Sequence, residues 1–330
     1  MKINDVIQKC IKIPGISIKQ AEYSMELILN TKEGKGSMTF FSLFPGLSLA
    51  YIFINSPTWT APDLRSDSSI TKGPLLLNYC VTGRCEMILN SKNFVYIKDR
   101  ELSLTECFAQ KEYVYPRRIY EGLEFFIDID TFTLENTWVQ NEFSIDFRKI
   151  SEMFCPHGST YISTAAHETE EILKKLWELY DFPASFAVIQ MKIYTLALFS
   201  STTKIWRLSL KSQACTFFTE SQVNIAKKVE NIITSDLRQH HPAWELAEYF
   251  SISETSLKNY FRGVYGQNIS VYLREMRMNK AGELLASTRL SVAEIAAQVG
   301  YLNQSKFASV FKKHFGVSPL EYRRTRHLDS

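Results

Sequence analysis

Between residues 38 and 130, apolar and aromatic residues fall into short runs: MTFFSLF (38–44), LSLAYIFI (47–54), LLLNYC (75–80), CEMILN (85–90), FVYI (94–97), ELSLTEC (101–107) and LEFFIDI (123–129). They are rich in β-branched and aromatic side chains and are separated by Pro, Gly, Asn and Asp, the composition of strands and turns. Several short strands at regular spacing predict a barrel or sandwich. From about residue 165 the period changes. The segment AAHETEEILKKLWELY places Ile172, Leu173, Leu176, Trp177 and Tyr180 at helical spacing, with acids early and lysines late, as the helix dipole favours. After Pro183, SFAVIQMKIYTLALFS (185–200) is apolar nearly all round, so a helix there must be buried on the barrel, on a partner chain or on both. The pattern divides the chain into a β domain over 1–160, a helical region over 161–205, a linker of mixed polarity over 206–220 and a C-terminal domain over 221–330. The expected fold class is an α+β multidomain protein.

The C-terminal domain repeats itself, and the repeat is its most informative feature. One copy reads LAEYFSISETSLKNYFRGVYGQNISVYL from Leu246, the other IAAQVGYLNQSKFASVFKKHFGVSPLEYR from Ile295. Leu246-Ala247 matches Ile295-Ala296, Leu257 and Phe261 match Phe307 and Phe311, Gly266 matches Gly316, and Tyr272 matches Tyr322. The second copy carries one extra residue in its turn. Each copy describes a short helix, a turn and a second helix that ends at glycine, the residue suited to a left-handed C-terminal position. Ser253 and Asn303 stand where an N-cap is needed, and Ser318-Pro319 reads as a cap followed by proline at the first helical position. This is the layout of the helix-turn-helix, whose second helix lies in the DNA major groove. Between the copies, residues 269–287 form a predicted helix with Ile269, Leu273, Met276, Ala281, Leu284 and Leu285 along one face. Such a helix spans roughly 28 Å at 1.5 Å per residue, close to the ~34 Å between successive major grooves on one face of B-DNA.

Charge agrees with that reading. The chain as a whole is +3, but residues 221–330 hold 15 Lys+Arg against 10 Asp+Glu, while residues 1–220 are net negative. A basic C-terminal third is an electrostatic cue for nucleic acid. No run approaches the roughly 18 apolar residues of a membrane span, and the start MKINDVIQKC lacks a basic region followed by an apolar stretch, so a cytoplasmic chain without a signal peptide is expected. The six cysteines, Cys10, Cys80, Cys85, Cys107, Cys155 and Cys215, include no CxxC pair. Cys80 and Cys85 flank V-T-G-R, read as a hairpin turn that would face the two thiols as buried groups or as a redox or metal pair. No cofactor and no metal are expected.

Residues 225–324 resemble the DNA-binding domain of the AraC/XylS family, carried by AEIAAQVGYLNQSKFASVFKKHFGVSPLEYRR, which follows the signature of that family almost throughout. The resemblance implies seven helices forming two helix-turn-helix units bridged by the long helix. In the N-terminal part, FPGLSLAYIFI with NYCVTGRCE resembles a subgroup that includes siderophore-responsive regulators. It implies a cupin-like β-barrel for a small-molecule effector, followed by helices that form a homodimer, here through Ile172, Leu173, Leu176, Trp177 and Tyr180. The base-reading positions of the family fall on Thr255, Lys258 and Asn259 in the first unit and on Gln304, Ser305, Lys306 and Ser309 in the second. Asn and Gln can pair bidentately with adenine, and Lys favours guanine O6 and N7. Positions 259 and 309 lack the arginine found in some family members, so no operator carries over. Arg262, Arg277, Lys312 and Lys313 are candidates for phosphate contacts. Tyr51, Phe53, Asn78, Tyr79 and Arg84, on or near predicted strands, are candidates for an effector pocket.

The function that follows is a DNA-binding transcription regulator gated by an effector. Activation, with RNA polymerase as a further partner, is the commoner behaviour of the family, and repression is the alternative. A sensor for a peptide or protein is a second reading. An enzyme carrying a DNA-targeting domain, a metal-dependent cupin or an alkylation-repair protein, needs clustered His and carboxylate ligands or an activated thiolate. None of the six histidines (His157, His167, His240, His241, His314, His327) falls in a predicted strand, so no catalytic residues are assigned.

Overall fold

The computed structural model describes residues 13–60, 74–89, 93–106, 112–156, 159–209 and 217–327. The chain separates into two compact units, 1–217 and 218–330.

The N-terminal unit is built on an antiparallel sheet whose strands are β1 (Ile16–Gln20), β2 (Met25–Asn30), β3 (Lys35–Phe44), β4 (Leu47–Asn55), β5 (Thr58–Thr60), β6 (Leu75–Leu89), β7 (Asn93–Lys98), β8 (Glu101–Glu106), β9 (Glu112–Val114), β10 (Ile119–Ile127) and β11 (Tyr161–Thr164). Neighbours run β1-β2-β3-β4-β10-β6-β7, and β8 pairs with both β6 and β11. Strand β6 takes two expected strands, 75–80 and 85–90, as one. Gly83 is not a hairpin turn: at φ +105° it continues the strand opposite Tyr120, two residues after a bulge at Val81 against β10, and a Cβ there would lie 2.2 Å from the Ile119 carbonyl oxygen. Cys80 and Cys85 therefore lie along one strand, both buried. Burial pushes both thiols well above their ordinary pKa, which disfavours the thiolate a redox or metal role needs.

The sheet has two apolar faces. On one, Ile16 and Leu27 from one end cluster with Val95 and Ile97 from the other, together with Ala50, Ile52, Cys80, Cys85 and Tyr120. The sheet curls, and this face is the inside of a half-barrel. The other face carries Leu49, Tyr51, Leu77, Tyr79, Leu123 and Phe125 and is covered by helices. Three of these are short, Ile129–Glu135, Thr137–Phe143 and Phe147–Phe154, within a region the sequence pattern assigns to strands and loops. Asp128 and Asp146 cap two of them, and Phe132, Phe147 and Ile150 bury their inner sides. The predicted helical hairpin is His167–Glu178 and Ala184–Ser209, preceded by β11. The expected linker over 206–220 is partly helical: residues 206–209 end one helix, Glu220 begins the next, and 210–216 lie outside the described residues.

Seven helices are described in the C-terminal unit: Glu220–Ser235, Ala243–Tyr249, Glu254–Tyr265, Ile269–Ser287, Val292–Gln298, Gln304–Phe315 and Pro319–His327. The repeat is visible as repeated contacts. Phe261 lies 4.6 Å from Tyr265 and 5.4 Å from Tyr272 between ring centroids. Phe311 lies 4.6 Å from Phe315 and 5.4 Å from Tyr322. Each aromatic triad ties the second helix of a unit to the helix that follows it.

Candidate nucleic-acid interface

In both units the turn is set by the same hydrogen bonds. Ile252 N–H donates to Ala247 O at 3.0 Å and Tyr301 N–H to Ala296 O at 2.8 Å, after Ser251 and Gly300, which both have positive φ. Ser253 Oγ then accepts from Ser256 N–H, and Asn303 Oδ1 from Lys306 N–H. The positions correspond one to one up to Tyr301, so the extra residue of the second copy is Leu302. It belongs to neither helix, and its side chain is fully exposed. Gly266 and Gly316 close the two helices in left-handed geometry, as expected.

Helices Glu254–Tyr265 and Gln304–Phe315 bury Leu257, Phe261, Phe307 and Phe311 completely. On their other sides, all seven candidate base contacts, Thr255, Lys258, Asn259, Gln304, Ser305, Lys306 and Ser309, are exposed. Lys258 is ion-paired with Glu254 one turn earlier. Arg262, Lys312 and Lys313 are exposed as well. Arg277 differs. Its guanidinium is half-buried, donates to Leu237 O (2.8 Å) and Gln239 O (3.1 Å), and lies over the Tyr301 ring. Burial lowers its pKa, though a guanidinium stays charged. These bonds hold the loop before the first unit, so Arg277 has structural work that the pattern of outward charges did not reveal.

Between the two reading helices lies a cleft of about 940 Å³. Its floor is the first half of the long helix Ile269–Ser287, and its walls carry Lys258 and Lys306. Arg274 and Arg277 sit on the floor, and no carboxylate residue lines the cleft. Arg274 was not singled out from the sequence. Its signal was present, since it stands one turn before Arg277 on the same helical face.

In the N-terminal unit the pocket candidates divide by strand parity. Tyr51 pairs with Leu123, Leu123 with Tyr79, and Phe53 with Glu121, all on the helix-covered face. Tyr51 donates its hydroxyl to Leu176 O (2.5 Å), and both Tyr51 and Phe53 stack on Trp177 and Tyr180. Tyr51, Phe53 and Tyr79 thus pack the core under the helices and do not line the inside of the half-barrel. Arg84 is buried beside Tyr96. Asn78 does face inside, where it accepts from Tyr120 Oη at 2.5 Å and hydrogen-bonds Glu124 on the adjacent strand. Glu124 was missed, although a lone carboxylate in the apolar run LEFFI was its signal. Burial pushes its pKa up to about 7 against the opposing effect of Asn78.

The proposed dimer residues are also used within the chain. Leu173 and Leu176 are fully buried, and Ile172 and Trp177 pack on the same core. The exposed apolar side chains belong instead to Phe182, Phe186, Ile189 and Ile193, each at least half exposed. Among the described residues no group of His, Cys, Asp or Glu could hold a metal ion, and no helix is long and apolar enough to cross a membrane.

A family profile described as a helix-turn-helix domain matches residues 246–325, which span both units. The transcriptional activator CsvR of Escherichia coli is 28% identical over 151 residues, 46% of this chain and 52% of that protein. The transcriptional regulator SirC of Salmonella typhimurium is 34% identical over 104 residues, 32% of this chain and 35% of its own. Among solved structures, the C-terminal domain of the response regulator AraT from Geobacillus stearothermophilus is 38% identical, covers 31% of this chain and 85% of that chain, and has a TM-score of 0.30. The chain spans about half the length of the first curated relatives it matches. With two helix-turn-helix units in this order, bridged by one long helix, residues 246–325 match a helix-turn-helix domain across both units, and the chain is similar there to transcription regulators such as CsvR and SirC.

Proposed function

We propose that the chain is a cytoplasmic, sequence-specific DNA-binding activator of transcription, not an enzyme, whose N-terminal half-barrel binds a small-molecule effector. One observation carries the DNA-binding part: two helices, pinned by matching aromatic triads, present seven polar side chains to solvent from their first two turns. The names of CsvR and CfaD, both activators, favour activation, which makes RNA polymerase a partner. A small effector would act by binding one arrangement of the protein more tightly than another.

Base and phosphate contacts are separable by experiment. Asn259→Ala is expected to relax preference at one base pair at a cost of about 1–3 kcal/mol. Lys312→Ala is expected to weaken binding to all duplexes and to reduce the salt slope by ~1. Fluorescence anisotropy on a selected site and on random DNA, at several salt concentrations, checks both. Equal losses on the two DNAs for both variants would show that the roles are not divided this way.

The homodimer is reassigned to the second helix of the hairpin. On it Phe186, Ile189 and Ile193 are spaced 3 and 4 residues apart, the seam spacing of paired helices, with Phe182 exposed just before its start. Replacing Ile189 and Ile193 together by glutamate is expected to turn a dimer into a monomer in light scattering, without loss of helical signal. A dimer that survives both charges places the interface elsewhere.

A further inference from the structure

The cleft between the reading helices belongs to neither helix-turn-helix, and what it faces follows from where those helices go. If each lies in a major groove, and the two grooves are successive, the duplex between them presents its minor groove. The inference rests on that DNA-binding reading. The cleft is lined by four cationic side chains and no carboxylate residue. Two of the four are already engaged: Arg277 holds the carbonyls of Leu237 and Gln239, and Lys258 pairs with Glu254. Lys306 projects from a reading helix. That leaves Arg274, exposed on the floor of the cleft, on the helix that bridges the two units, with no carboxylate paired to it among the described residues.

An arginine in that place meets the strongest negative potential where the minor groove is narrow, and A·T tracts are narrow. A guanidinium is also less strongly hydrated than an ammonium, so it enters a groove at lower desolvation cost than lysine does. We propose that Arg274 enters the minor groove between the two segments read by the reading helices and makes the spacer of the operator part of the recognised sequence, with a preference for A·T.

The test uses the full chain and a random duplex library, selected in parallel with the wild type, Arg274→Ala and Arg274→Lys. The wild type is expected to enrich two short motifs separated by an A·T-rich spacer. Arg274→Ala should retain both motifs and lose the spacer bias. In direct titration, the wild-type preference for an A·T over a G·C spacer, about tenfold, should fall to near unity. Arg274→Lys should recover overall affinity but only a minor part of that ratio. Two motifs with an unbiased spacer in the wild type, or a full A·T ratio in Arg274→Lys, would overturn the proposal and leave the DNA-binding reading intact, the second because a phosphate contact then suffices. Failure of the wild type to enrich any motif overturns both.

Discussion

Replacing Phe311 by alanine is expected to cost the C-terminal unit about 3–5 kcal/mol, the range for removing a fully buried phenylalanine. Phe311 is fully buried and touches Phe307, Phe315 and Tyr322, so three rings lose a neighbour at once. Domains of this size have about 5–15 kcal/mol in all, so the variant would stand near the edge of folding. Phe261→Ala should behave alike, because Phe261 has the same relation to Tyr265 and Tyr272. Urea titrations of the full chain followed by helical circular dichroism measure both. Lys312→Ala, an exposed neighbour, is the control and should stay within ~0.5 kcal/mol of wild type. A loss of less than ~1 kcal/mol in Phe311→Ala would mean that the triad does not tie the second reading helix to its successor.

The second large effect is a pH dependence of the N-terminal unit. Burial holds Glu124 at a pKa of about 7, above the 4.5 of the free side chain. The folded state therefore binds the proton more tightly than the unfolded chain does. The resulting stability is fully present below the unfolded value and is lost as pH rises through the folded one. A displacement of that size corresponds to about 3 kcal/mol, all of it absent by pH 8. Glu124→Gln keeps the shape, the hydrogen-bonding partner and the neutral state, so it should flatten the profile between pH 5 and 8 and stabilise the unit most at the alkaline end. Tryptophan fluorescence follows this unit selectively once Trp244, the tryptophan of the C-terminal unit, is replaced by phenylalanine in both proteins, since Trp59 and Trp177 lie in the N-terminal one. Parallel profiles for wild type and variant would show that Glu124 is not the group responsible.

The C-terminal unit was readable in its sequence because its determinants are local. Ser253, Asn303, Gly266 and Gly316 act within a turn of where they stand, and a repeat shows each of them twice. The half-barrel was less readable because the face of a strand residue depends on parity, and one bulge reverses it. With bulges at Val81 and between Ser42 and Phe44, alternation along the strands does not say which side is inside. Tyr51, Phe53 and Tyr79, pocket candidates because they stand on predicted strands, all pack under the helices. The three short helices between Ile129 and Phe154 span two turns each, too few for a periodic signal, and tertiary burial of Phe132, Phe147 and Ile150 accounts for them. At the interface, exposure of the seven base-reading candidates agreed with the pattern, whereas the commitment of Arg277 to two carbonyls required coordinates.

Leu302, the one residue by which the second turn exceeds the first, makes the two halves of the reading surface inequivalent. Two identical copies would offer the same reading surface twice. With Leu302, and with different side chains on the two helices, a monomer on DNA has a head and a tail. Inverting an operator in place would then turn the regulator to face the other way along the promoter, so the direction of a site, as well as its presence, becomes part of the instruction.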